Sequence, residues 1–150
     1  MKRLLLLLAM GVSGCTPIQQ IDWESSNTEL RIAPERDRIF LTILTKTTDR
    51  AKQPSIDITQ SFAVHEGRRY LLTVKKNDYV DTGVSPWAVD VAQLTSPNGK
   101  PTDTVPWKDG KWELHLEFTG PTTRDPIDAK FVLWTAWYSP VFPFFHWRPN

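Results

Sequence analysis

From Glu29 onward, apolar and polar positions alternate with a period of two far more often than 3.6, and turn residues interrupt the chain every eight to fifteen residues. A period of two sends successive side chains to opposite faces, so the pattern predicts strands. Leu30 and Ile32 alternate with Glu29 and Arg31 as far as Pro34, and Pro34 to Asp37 reads as a turn. Ile39, Leu41 and Ile43 alternate with Phe40, Thr42 and Leu44 through Thr47, a β-branched run that is apolar on both faces and predicts a strand covered on both sides. Ile56, Ile58, Phe62 and Val64 share one face, with Gln60 interrupting and Asp57, Thr59, Ser61 and His65 opposite, which predicts a half-buried strand with one polar position or a bulge. Glu66-Gly67 then turns the chain into a strand with Tyr70, Leu72 and Val74 inward and Arg69, Thr73 and Lys75 outward, completing a hairpin.

Lys76 to Pro86 is the longest candidate loop and the segment expected to be mobile. Beyond it, Trp87, Val89 and Val91 alternate with Asp90, while Leu94 falls off phase before the Ser96-Pro97-Asn98-Gly99 turn. A second turn, Lys108-Asp109-Gly110, leads into Trp112, Leu114, Leu116 and Phe118 against Glu113, His115 and Glu117, the cleanest alternation in the chain. Ala129, Phe131, Leu133, Thr135 and Trp137 share one face of a later strand whose other face, Val132, Trp134 and Ala136, is also apolar, so this strand is expected to be central or to have its second face covered by something else. Val141 to Trp147 is a candidate last strand at a sheet edge, because Pro143 removes a backbone donor. The fold expected is all-β, a small β-sandwich of about seven or eight mainly antiparallel strands with an immunoglobulin-like topology; a small open barrel fits the same spacing.

Composition narrows the function. The chain has 150 residues, 18 Lys plus Arg against 17 Asp plus Glu, and one cysteine, which argues against a multidomain enzyme, a disulfide-stapled miniprotein and a basic nucleic-acid binder. At its start Lys2 and Arg3 precede an apolar run, Leu4 to Met10, that is shorter than the roughly 20 residues a spanning helix needs, which reads as a signal peptide. Val12-Ser13-Gly14-Cys15 follows, with small or aliphatic residues up to the cysteine. This segment resembles the lipobox of bacterial lipoproteins.

The resemblance covers residues 1 to 15 and implies cleavage after Gly14, with a diacylglyceryl group on the Cys15 sulfur and a further acyl chain, palmitate or similar, on the new amino terminus. Several acyl chains give stable anchoring where one gives only reversible binding. Thr16, rather than Asp, after the cysteine resembles the outer-membrane sorting case of Gram-negative lipoproteins, facing the periplasm. The organisation expected is a signal peptide at 1–14, the lipidated cysteine and a tether over 15–27, and one β domain over 28–150; Ile21 and Trp23 are in strand phase, so part of the tether can lie on the domain as an edge segment. Without the leader, 136 residues remain with a net charge of −1. A mature chain whose one thiol carries lipid forms no internal disulfide, so its stability rests on its core or on partners.

Chemistry-bearing motifs are sparse. The three histidines, His65, His115 and His146, stand on three predicted strands with no ligand spacing, and neither HExxH nor GxSxG is present. No metal or cofactor is expected. His115, between Glu113 and Glu117 on a wet strand face, is the one histidine that a carboxylate can orient locally. Arg68, Arg69, Lys75 and Lys76 bracket one strand and are a candidate basic patch for anionic headgroups. Residues 131–150 hold eight aromatics, and Trp134, Tyr138, Phe145 and Trp147 are the candidate partner-binding rings, since aromatic side chains desolvate a large area at low entropy cost. The function expected is a membrane-anchored, non-catalytic lipoprotein that binds or braces a protein partner in the bacterial envelope, with the bilayer contacted through acylated Cys15 and no nucleic-acid partner. A glycan-binding lipoprotein touching peptidoglycan or surface polysaccharide, and a small carboxylate-dependent enzyme, are the alternatives.

Overall fold

The computed structural model describes residues 16–25, 27–35, 37–45, 47–81, 86–96, 103–122 and 124–138. Residues 1–14, expected as a signal peptide, Cys15, the 141–147 segment, His146, Phe145 and Trp147 lie outside the described residues, as do the side chains of Tyr138 and Lys76. Apart from a 3₁₀ turn at Arg50–Lys52, the elements are strands: β1 Thr16–Trp23, β2 Leu30–Glu35, β3 Arg38–Leu44, β4 Ser55–Ile56, β5 Phe62–His65, β6 Arg68–Asp81, β7 Pro86–Thr95, β8 Thr104–Val105, β9 Gly110–Leu116, β10 Phe118–Thr119 and β11 Ile127–Tyr138. The all-β, antiparallel expectation holds.

Eight strands form one path in the order β1-β11-β9-β5-β6-β7-β3-β2, with β8 added beside β7, while β10 and β4 pair separately. The order itself, left to an immunoglobulin-like guess by the sequence, is one continuous sheet curling toward a barrel, and its two end strands, β1 and β2, come to lie beside each other. Curling buries one face of β2, β3, β5, β7, β9 and β11. Leu30, Ile39, Leu41, Leu94, Leu114, Leu116, Phe131 and Leu133 meet there, around the tilted pair Trp107–Trp112 at 4.6 Å between ring centres. β11 is central as expected, between β1 and β9. Pro34 sits in β2, which pairs only with β3 among the described residues, so its missing N–H breaks no ladder bond.

The β5–β6 hairpin forms as expected. His65 pairs with Arg68, and Glu66 and Gly67 have φ of 49° and 74°, the two positive values that a two-residue type I′ loop requires.

Several expectations are refined or corrected. First, of the stretch 15–27 expected as a tether, Thr16–Trp23 is strand β1, the edge segment that the strand phase of Ile21 and Trp23 allowed, paired with β11 from Thr16↔Tyr138 to Trp23↔Phe131. The paired backbone groups outweigh the polar composition of this segment. Second, Phe62 and Val64 are not the inner face of their strand. Asp57 accepts hydrogen bonds from Thr59 N–H (2.9 Å) and Thr59 Oγ1 (2.6 Å), and its carbonyl accepts from Ser61 N–H (2.9 Å), closing a turn. That turn resets the phase, so Ser61, Ala63 and His65 point inward.

Third, Lys76 to Pro86 is largely strand: β6 and β7 pair as far as Asp81↔Pro86 across an irregularity between Lys76 and Asp78. Fourth, Asp90, Ala92 and Leu94, not Val89 and Val91, form the inner face of β7, because Ala92 lies opposite both Ile39 and Val74 and Leu94 opposite Leu72. Phe118 also leaves the β9 ladder for β10, where it pairs with Ile56.

Candidate functional site

The alternation of β9 sends Trp112, Leu114 and Leu116 inward and leaves Lys111, Glu113 and His115 on the outer face. Register with its two neighbours then builds two rows across three strands. Phe62 of β5, His115 of β9 and Asp128 of β11 form one row; Val64, Glu113 and Lys130 form the next. Phe62, Glu113, His115, Asp128 and Lys130, with Ser25, line a depression of about 400 Å³.

His115 is held at both ring nitrogens. Nδ1 lies 2.6 Å from Asp128 Oδ1 and Nε2 lies 3.2 Å from Glu117 Oε1. The pKa of His115 is raised above its ordinary value, chiefly by the hydrogen bond to Asp128, against partial desolvation and with help from the Glu117 bond and both negative charges. When protonated, the ring donates from both nitrogens, one to each carboxylate. The row therefore acts as an electrostatic clasp joining β9 to β11. Lys130 neutralises Glu113 at 3.4 Å, and Phe62 is flanked by the His115 ring at 5.0 Å and by the Arg69 guanidinium at 3.8 Å, so its faces are already occupied.

The clasp has a pH signature. Because the folded-state pKa lies above the unfolded value, near 6.5, its contribution is fully present below that value and is lost as pH rises through the raised folded value. The difference in melting temperature between the parent and His115→Gln is expected to be largest near pH 6 and to shrink toward pH 8. A difference that grows with pH over this range would contradict the clasp.

A second depression, of about 390 Å³, lies where β1 and β2 approach and is lined by Trp23, Asn27, Leu30, Arg31 and Ile32. Trp23 is 39% exposed there, with its ring 6.3 Å from Phe131. Near the β3 end of the sheet, Arg124 is partly buried, donates to the Leu44 carbonyl and pairs with Glu29 at 2.9 Å, beneath the Phe118 ring at 4.9 Å; desolvation lowers its pKa without threatening its charge.

The candidate residues from the sequence scatter. Arg68 and Arg69 are exposed at the start of β6, and Lys75 is exposed roughly 20 Å further along the same strand, so the described basic side chains do not form one patch. Trp134 is half-buried, with its indole nitrogen buried and lacking a hydrogen-bond partner among the described residues. His65 is buried, stacks on Trp112 at 4.4 Å and bonds the Lys111 carbonyl through Nδ1 at 3.0 Å. Sequence reasoning found His115 with Glu117 but missed Asp128, thirteen residues away, because only the β9–β11 register brings it opposite His115. It also missed Arg124, whose one signal was a cation in an otherwise small, polar loop. Among the described residues no group of three His, Cys, Asp or Glu side chains is arranged to hold a metal. Compared with protein families, curated proteins and solved structures, the chain has no match.

Proposed function

We propose that this chain is a lipid-anchored, non-catalytic β domain of the bacterial cell envelope that binds or braces another protein there, on the outer membrane in a Gram-negative host. The observation that carries the reading is the start of β1. Thr16, next to the lipobox-like Cys15, is already paired with Tyr138, so a lipid on that sulfur leaves no slack between bilayer and sheet. Such a mount fixes the height and orientation of the domain, which suits a brace better than a reaching adaptor. The non-catalytic part rests on the sequence, which carries neither HExxH nor GxSxG.

The test is site-specific photo-crosslinking in intact cells, with the crosslinker placed at Trp23, Ile58 and Leu71, three of the exposed large apolar side chains. At least one position is expected to give a discrete protein adduct, and ten flexible residues inserted between Cys15 and Thr16 are expected to weaken it at least fivefold. Folded, membrane-bound protein without adducts at any of the three would remove the partner reading. A free Cys15 thiol in membrane-extracted protein would remove the anchor.

A second reading, glycan binding, is favoured by one feature: a half-exposed indole, Trp23, stands over a depression beside the Asn27 amide and the Arg31 guanidinium. A ring face with flanking polar groups is what a sugar needs. It is told apart by the same experiment, because cell-wall fragments then shield Trp23 and no protein adduct forms there.

A further inference from the structure

Two features coincide on the outer face of β2, β3 and β7. The first is an apolar field. Ile39, Leu41 and Ile43 of β3 point into the core and are buried, while Phe40 and Thr42 point outward and are half-buried. Register sets Ala33 of β2 and Val91 of β7 on either side of Phe40, and Arg31 and Val89 on either side of Thr42. Ala33 is exposed there, and Val89 and Val91 are half-buried. The second feature is a charge pattern. On β2, Arg31 and Glu35 stand two residues either side of Ala33, on the same outer face and both exposed. Rotation by 180° about the row Ala33–Phe40–Val91 therefore exchanges them: Arg31 of one copy falls on Glu35 of another, and Glu35 on Arg31, while the three residues of the row fall on themselves. Arg38 falls on Thr42 and meets no like charge.

We infer that this face is a self-association surface, on which a second copy of the chain packs face to face about that two-fold row. The inference rests on the lipid-anchor reading above and adds a second copy to it as a neighbour on the same bilayer. Packing of this kind brings the two apolar fields together and forms two Arg31–Glu35 pairs between the copies. Joining the copies edge to edge along β2 would form the same pairs, but Pro34 has no N–H to give a second strand, and β1 already lies beside that edge. The two-fold row also suits anchoring. It runs from β7 over β3 to β2 and on toward β1, so both copies present β1, and with it Thr16, on one side, as two chains held by one membrane must. The outer surface of a curled sheet is convex, so contact is confined to three strands of about five residues, roughly 250 Å² of sheet in each copy. Lys75, which follows Val91 along the row on β6, lies where the sheet has curved away. Such an area is well below the roughly 800 Å² per partner of a stable complex. The pair is therefore weak in solution and forms when anchoring confines and orients the copies.

The test uses the purified lipidated protein in vesicles of phosphatidylethanolamine and phosphatidylglycerol, with a short bismaleimide crosslinker. Cys15 is the chain's one cysteine, so with its sulfur acylated Ala33→Cys supplies the one free thiol, on the two-fold row. Ile58→Cys, in the turn after β4, reports random collision. Crosslinked dimer is expected to form at least fivefold faster from position 33 than from position 58. Arg31→Glu is expected to bring position 33 down to the rate at 58. Adding Glu35→Arg is expected to restore at least half of the difference, which a misfolded variant cannot do. The unanchored Cys15→Ser form of the Ala33→Cys protein, free in solution, is expected to crosslink at least fivefold more slowly than the anchored protein. Equal rates at 33 and 58 on vesicles, a charge exchange that restores nothing, or unanchored protein that crosslinks as fast as anchored protein overturns the inference and leaves the anchor standing. Maleimide labelling of the parent protein, without any added cysteine, overturns the anchor reading and this inference with it.

Discussion

Replacing Trp112 by alanine is expected to cost about 4 kcal/mol, a large share of the roughly 5–15 kcal/mol by which a domain of this kind is stable. Trp112 is 1% exposed and stands where three strands and a connection meet. His65 of β5 stacks on it at 4.4 Å with 14° between the planes; Tyr70 of β6 lies at 5.7 Å and Trp107 at 4.6 Å. Its indole N–H donates to the Lys108 carbonyl at 2.8 Å, tying the turn before β9 to the core. Alanine removes the ring area and leaves a cavity whose lining is other rings, which collapse poorly into it. Trp112→Phe keeps most of the area and loses the hydrogen bond, so it is expected to cost about 1–2 kcal/mol. Urea denaturation of the three proteins checks both values. An alanine variant within 1 kcal/mol of the parent would mean that Trp112 is not the centre of this core.

Gly110→Ala is the second large effect, at about 3 kcal/mol, from two causes that can be separated. Gly110 has φ of +124°, where a side chain strains the backbone, by an amount of order 1–3 kcal/mol. In addition, a Cβ at this position would stand 2.8 Å from His65 Cε1. His65 has little freedom to yield, since it is stacked on Trp112 and bonded to the Lys111 carbonyl. The steric part is removed when His65 is also replaced. Gly110→Ala is therefore expected to cost at least 1 kcal/mol less in a His65→Ala background than in the parent, a coupling that a double-mutant cycle reads directly. Additive costs would show that the backbone conformation alone demands glycine here.

Both variants act on one cluster, and the sequence disclosed it unevenly. The alternation Trp112, Leu114, Leu116 against Glu113, His115 was plain because β9 is uninterrupted and has one dry and one wet face. The role of His65 was hidden. Counting by twos from Ile56 carries the phase straight through Asp57 to Ser61, whereas the hydrogen-bonded turn there changes which residues face inward. Periodicity survives within an element and is lost across a turn whose residue count is not known beforehand. The same limit hid the inner face of β7, where Asp90 and Ala92 were set by Leu41, Ile39 and Val74 on neighbouring strands rather than by their own hydropathy.

The candidate sites divide in the same way. Phe62, His115 and Asp128 come from three strands, and no spacing in the chain connects them; their row exists because two registers agree. The proposed brace also depends on a tertiary fact, the pairing of Thr16 with Tyr138, since the polar stretch 16–27 reads equally well as a slack tether when it has no partner strand.

What the sequence by itself determined is whatever one segment can specify alone: a two-residue repeat and therefore an all-β chain, a tight reversal at Glu66-Gly67, and a strand with a dry tryptophan face. What only the tertiary structure decided is which strands become neighbours, in which register, and which terminal segment closes the sheet's edge. Those choices are made by burying apolar area and pairing backbone groups over the whole sheet at once, so the energy that selects them belongs to no single stretch of chain.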